Sequence, residues 1–166
     1  MQEEAGQVEA LTWGVLVPGQ RLPLGHRLRL ISMQLLDVME QWRPTEVAVE
    51  DAFVSQNVRT AIAIGQAQAV ALVASATFDI DAARYAPTEV KRAVTGYGNS
   101  TKEQIQRSVC MQLSIEESEV AEDAADALAV ALCHIRSRVE KKIFSQGRSG
   151  RVLRCSVLFS RHDFIS

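Results

Sequence analysis

A chain of 166 residues is the size of a single domain with one real core, and 47% hydrophobic against 23% charged residues excludes a disordered segment, a collagen and a coiled coil. No apolar run approaches the roughly 18 residues of a membrane span, and Met1-Gln2-Glu3-Glu4 lacks the basic start of a signal peptide, so a cytoplasmic location is expected. The formal net charge of -2 hides a segregation of sign: residues 116–126 hold six acids and no base, whereas residues 136–154 hold seven bases against Glu140 alone.

In chain order, Leu11, Trp13, Val15 and Val17 alternate within residues 8–17, which predicts a half-buried strand closed by Pro18-Gly19. Leu28, Ile31, Leu35, Val38, Met39 and Trp42 recur at helical spacing until Pro44, which predicts an amphipathic helix of about four turns. Val47-Ala48-Val49 is a short apolar run with Glu50-Asp51 at its end, the pattern of a buried strand. Residues 59–77 are alanine-rich, almost uncharged and carry Gly65, so a helix there is apolar around most of its circumference and needs a partner surface.

Residues 78–85 read as another strand. Pro87 and Glu89 then open a short helix that ends near Gly96. Ser100-Thr101-Lys102-Glu103 has the spacing of a capping box for a helix reaching about Leu113. Residues 123–135 are alanine-rich and apolar on every side, and patterning fades beyond Lys142. Strands alternating with helices predict an α/β domain with helices covering a sheet. Cys110, Cys133 and Cys155 are odd in number and form no C-x-x-C pair, so buried thiols are expected rather than disulfides or zinc ligands.

Asp123 and Asp126, three apart, share one helix face with their Cβ atoms about 5 to 6 Å apart. Acids at a helix start also complement its macrodipole, and Glu119, Glu122 and Asp123 have that explanation open to them. Asp126 is harder to explain so, because Val130 and Cys133 continue its face and are apolar. A buried carboxylate there needs a cation or hydrogen bonds. Glu50 reads either as a solvated acid or as a ligand at the carboxyl end of a strand, where α/β sheets gather their ligands. Hard oxygen donors suit Mg²⁺ or Mn²⁺, and His134, three turns from Asp123, is too distant to share its ion.

These residues resemble the RuvC group of Holliday junction resolvases, endonucleases with a ribonuclease H-like fold. Val47-Ala48-Val49-Glu50-Asp51-Ala52-Phe53 is similar to the family's strand with its acidic ligand. Ile64-Gly65-Gln66-Ala67 resembles its interfacial helix, and Asp123-Ala124-Ala125-Asp126-Ala127-Leu128-Ala129 its catalytic helix motif. Tyr85-Ala86-Pro87, Val90-Lys91 and Gly96-Tyr97-Gly98 with Lys102 follow in family order, so the resemblance spans roughly residues 8–135.

The resemblance implies a mixed sheet flanked by helices. Glu50, Asp123 and Asp126 would hold two divalent ions, with Lys91 and Lys102 serving the scissile backbone. Phe53 would stack at the junction core or, on the plainer reading, staple the next helix. Arg59, Lys91, Arg92, Lys102 and Arg107 are the implied phosphate contacts, and Lys91 can equally be a solvated lysine. The implied activity is resolution of four-way DNA junctions in recombination and repair by two-metal phosphodiester hydrolysis, as a homodimer and with the RuvA–RuvB branch-migration complex as partner. The alternatives are a catalytically impaired junction-binding and dimerisation module on the same fold, and an unrelated acidic metal-binding domain.

The chain departs from the family at its start. Relatives open with a central strand ending in G-x-D-P-G, whose aspartate is a principal metal ligand; Val15-Leu16-Val17-Pro18-Gly19 is only an echo, with no oxygen ligand at Val17. Residues 8–17 align better with the family's third strand, so the first strand and most of the second are expected to be missing. Residues 1–142 are then the nuclease domain with an incomplete N-terminus, and residues 143–166 a basic tail that either touches DNA or solubilises a frayed end.

Overall fold

A computed structural model of the chain describes residues 1–19, 21–51, 58–144 and 153–157. The strands are β1 (Gln2–Glu4), β2 (Gln7–Glu9), β3 (Glu46–Glu50), β4 (Ala82–Tyr85) and β5 (Leu153–Val157). The α-helices are α1 (Leu24–Trp42), α2 (Val58–Thr77), α3 (Pro87–Thr95), α4 (Lys102–Leu113) and α5 (Glu122–Phe144). The strands form one mixed sheet in the order β2-β1-β5-β3-β4. β3 runs parallel to both β4 and β5, while β1 is antiparallel to β2 and β5.

The alternation of β3 divides the core. Val47 and Val49 join Ile31, Leu35 and Met39 of α1 and Ile64, Ala67, Ala71 and Ala74 of α2. Ala48, pointing the other way, joins Tyr85 and the buried faces of α3, α4 and α5. A strand buried on both faces must read as an unbroken apolar run, which is why Val47-Ala48-Val49 shows no polar alternation. α1 buries residues at i, i+4 and i+8 and stops at Arg43, which takes φ 42° ahead of Pro44. Gly96 ends α3 at φ 84°, a conformation that costs a Cβ-bearing residue about 1 kcal/mol or more.

Three expectations are corrected. Residues 10–17 form no strand: pairing ends at Glu9 because the partner β1 is only three residues long. The segment crosses instead to the connection between α4 and α5, where Trp13 Nε1 donates to the Glu119 carbonyl at 3.3 Å. The strand expected from residue 78 begins at Ala82, because α2 closes in a left-handed turn at Asp79 whose amides return to Ser75 and Ala76. The capping box of α4 is formed by Thr101 and Gln104, one position later than expected. The Ser100 hydroxyl pairs with Thr95 Oγ1 at 2.6 Å instead.

The basic tail is not uniformly frayed. Residues 153–157 pair with both β1 and β3, and Cys155 is buried between them. All three cysteines are free and buried, as expected. Burial pushes the Cys155 thiol up to about 12, against the pull of the Met1 amine and Arg138. The unfolded chain releases that proton from about pH 9, so the thiol's contribution to stability is intact below pH 9 and is lost as pH rises from there to about 12. The measurable result is three thiols unreactive toward a disulfide reagent in native protein at pH 8 and reactive in denaturant.

Candidate active site

Glu50 ends β3 on the same face as Glu46 and Ala48, the face covered by α5. Its backbone carbonyl accepts from Gln68 Nε2 of α2, and the neighbouring Asp51 amide donates to the Tyr85 carbonyl at 2.8 Å, so the strand end is tied on both sides. The Asp51 carboxylate pairs with Arg84 at 2.6 Å.

α5 is anchored to the sheet at its middle. His134, buried within the apolar face, brings Nε2 to 2.7 Å from a Glu46 oxygen and Nδ1 to 2.8 Å from the Tyr85 hydroxyl, and Arg138 pairs with the other Glu46 oxygen. Burial is the main cause holding the Tyr85 phenol above its ordinary value, so Tyr85 keeps its proton. With the Tyr85 proton retained, a neutral His134 accepts from Tyr85 at Nδ1 and donates to Glu46 through Nε2–H.

These contacts set the direction of α5. His134 and Arg138 lie at the amino end of β3, and Arg136 donates to the carbonyl of Ala93, far along a helix that begins next to the carboxyl end of β4. The amino-terminal turns of α5, with Asp123 and Asp126, therefore lie toward the carboxyl ends of the parallel strands. Asp123 and Asp126 are both partly buried, as is Glu50.

The fold thus puts the three expected acids on facing elements, but it does not close them into a cage. Among the described residues no three Asp, Glu, His or Cys side chains stand close enough together to hold one ion. Mutual repulsion among carboxylates favours that separation.

Of the expected cations, Lys102 is drawn to the start of α5, where it meets Glu122 at 2.6 Å, next to Asp123 in sequence. Lys91 donates to the Ser100 carbonyl at 3.1 Å, bracing the turn between α3 and α4. Arg107 pairs with Glu117 at 3.4 Å, and Arg92 is exposed on α3. Arg59 falls in the first turn of α2, but its side chain and all of Phe53 lie outside the described residues.

Sequence reasoning missed Gln68, Tyr85, Glu46 and Arg138. A usable signal was present: an amide on the buried side of an alanine-rich helix and a lone histidine in an apolar one each need a partner.

Comparison with known proteins identifies the family. The family described as crossover junction endodeoxyribonuclease RuvC matches residues 1–134. A crossover junction endodeoxyribonuclease RuvC of Dehalococcoides mccartyi is 46% identical over 132 residues, covering 80% of this chain and 79% of that protein. One from Desulforamulus reducens is 44% identical over 124 residues, covering 75% and 76%. Among solved structures, that of Thermus thermophilus RuvC superposes with a TM-score of 0.73 at 30% identity, over 83% of this chain and 84% of that one. The T. thermophilus RuvC in complex with Holliday junction substrate gives 0.75 at the same identity and coverage. With the family matched over most of the chain and the fold shared with solved relatives, this chain belongs to the RuvC family of crossover junction endodeoxyribonucleases and has its ribonuclease H-like fold.

Proposed function

We propose that the chain is a divalent-ion-dependent endodeoxyribonuclease that resolves four-way DNA junctions, with Mg²⁺ as its ordinary cofactor, two ions per site, and Mn²⁺ as a substitute. The observation that carries this reading is Glu50 on the α5-facing side of β3, with Asp123 and Asp126 in the turns of α5 nearest the strand's carboxyl end. Three hard carboxylates fit ions of that class. Bound there, such ions would neutralise phosphodiester charge and favour attack by water. The carboxylates are fixed by the strand and the helix, Lys91 and Lys102 would hold phosphate oxygens, and Arg59, Arg92 and Arg107 would extend the contact along the backbone. Phe53 would stack on an unpaired base.

The homodimer reading is supported by α2. Val58, Ile62 and Val73 are 66%, 56% and 64% exposed on one stripe of that helix, an apolar surface that a second copy related by two-fold symmetry would cover. Two sites so related suit the opposed strands of a junction. Partnership with RuvA–RuvB and a cytoplasmic location belong to the same proposal; among the described residues no helix is long and apolar enough to cross a membrane. The acids number one fewer than the resemblance requires, so the rate is expected to fall several orders of magnitude below that of a relative carrying all four.

Incubation of the chain with a synthetic four-way junction, with and without Mg²⁺, tests the proposal. The expected result is binding that weakens steeply with salt, and nicks on opposed strands only when Mg²⁺ is present. Binding without cutting in either Mg²⁺ or Mn²⁺ would replace the nuclease by a junction-binding and dimerisation module. Affinity indifferent to salt would overturn both.

A further inference from the structure

Four side chains outside the proposed catalytic set meet behind it: Tyr85 of β4, His134 and Arg138 of α5, and Glu46 of β3. The cluster is partly ionic and its histidine is buried, an arrangement that costs desolvation and that apolar residues of similar size often replace without loss of stability. What it supplies is a fixed register between α5 and the sheet.

The arithmetic of the two elements gives that register a consequence. From Glu46 to Glu50 is four strand residues, about 13 Å. From His134 back to Asp126 is eight helix residues, about 12 Å, and α5 descends in the opposite direction to β3. A pin between His134 and Glu46 therefore sets Asp126 level with Glu50, and Asp123, eleven residues before His134, comes round to within about 20° of the azimuth of His134. Tyr85 adds a second point of reference, because its backbone is the register partner of Glu50 on β4 while its hydroxyl bonds His134.

We infer that Tyr85, His134, Glu46 and Arg138 form a positioning device that holds Asp123 and Asp126 of α5 in register with Glu50. None of the four touches the reacting atoms; they act through the placement of α5. The inference rests on the reading of these three acids as the metal-holding set.

Mn²⁺ affinity of the full chain tests it, measured beside thermal stability. His134→Leu, which fills the same space without a donor, is expected to leave a folded protein whose Mn²⁺ affinity falls about tenfold, the size typical of losing support around a ligand. His134→Gln, whose amide can still donate to Glu46, is expected to recover most of that loss, a rescue that mere filling of the core would not produce. Tyr85→Phe is expected to weaken Mn²⁺ about threefold, and it decides the matter if His134→Leu does not fold.

Unchanged Mn²⁺ affinity in folded His134→Leu, or in Tyr85→Phe where the former does not fold, overturns the inference. Wild-type protein lacking any Mn²⁺ site that Asp126→Asn removes sinks the metal reading instead. In that case spin labels on Arg84→Cys and Glu122→Cys still judge the pin: a broadened distance distribution in His134→Leu, or in Tyr85→Phe if that variant alone folds, supports it, and an unchanged one overturns it.

Discussion

Asp126→Asn is expected to lower junction cleavage by about 10³-fold or more while junction binding stays within about threefold. The asymmetry follows from where the charge sits. Asp126 lies in the first turns of α5 and is partly buried, with Val130 and Cys133 continuing its side of the helix into the core. An anionic side chain makes no attractive contact with the phosphate backbone, so its loss leaves the lysine and arginine part of the affinity intact. The amide keeps the shape and loses the negative charge, and a hard divalent ion held by few acids is sensitive to each of them. Single-turnover cleavage and salt-dependent binding on the same junction check both halves. Equal losses in binding and cleavage would mean that Asp126 supports the fold rather than the reaction. Glu50→Gln is expected to behave alike, and its main-chain contact from Gln68 is untouched by the change.

Removal of residues 145–166 is expected to destabilise the domain on the order of 5 kcal/mol, much of what a domain of this size has to spare. The reason is the position of β5, between β1 and β3 in the sheet. Without it β3 loses the partners of Glu46, Val47 and Ala48, and β1 loses those of Gln2 and Glu3. The carbonyl of Cys155 also accepts from the Met1 amine at 2.9 Å, a buried contact that closes the same gap. Unpaired ladder groups in the middle of a sheet are more costly than those at its edge and invite pairing with another chain. A fall in Tm of about 15 °C, or aggregation on expression, is the expected observation. A truncated chain with unchanged Tm would show that the slot between β1 and β3 contributes little.

How much of this was legible in the sequence depends on the range of the interaction concerned. α1, α3 and α4 and several of their ends follow from local rules: apolar spacing over a few turns, Pro87 at a helix start, Gly96 and Pro44 at helix stops. The acids stand out as candidates for a similar reason, since a carboxylate at the end of an apolar strand and an aspartate facing an apolar helix surface are local contradictions that a ligand or a partner resolves. The capping box was misplaced by one residue because Ser100 and Thr101 are chemically alike at that spacing, and only the contact of Ser100 with Thr95 separates them.

The tertiary structure alone decided the rest. Alternation in residues 10–17 announced a strand, but a strand exists only where a neighbour offers hydrogen bonds, and β1 ends too soon. The tail looked featureless because the pairing that makes residues 153–157 a strand comes from residues more than a hundred positions away. Nothing in the sequence links Glu46 to His134, 88 positions apart, and only the fold brings them to 2.7 Å. The sequence by itself determined the family and the core faces, because these depend on residue identity and short spacing. Which strand fills the centre of the sheet, and at what level α5 meets β3, depends on contacts between distant segments, and those become definite only when the chain has packed.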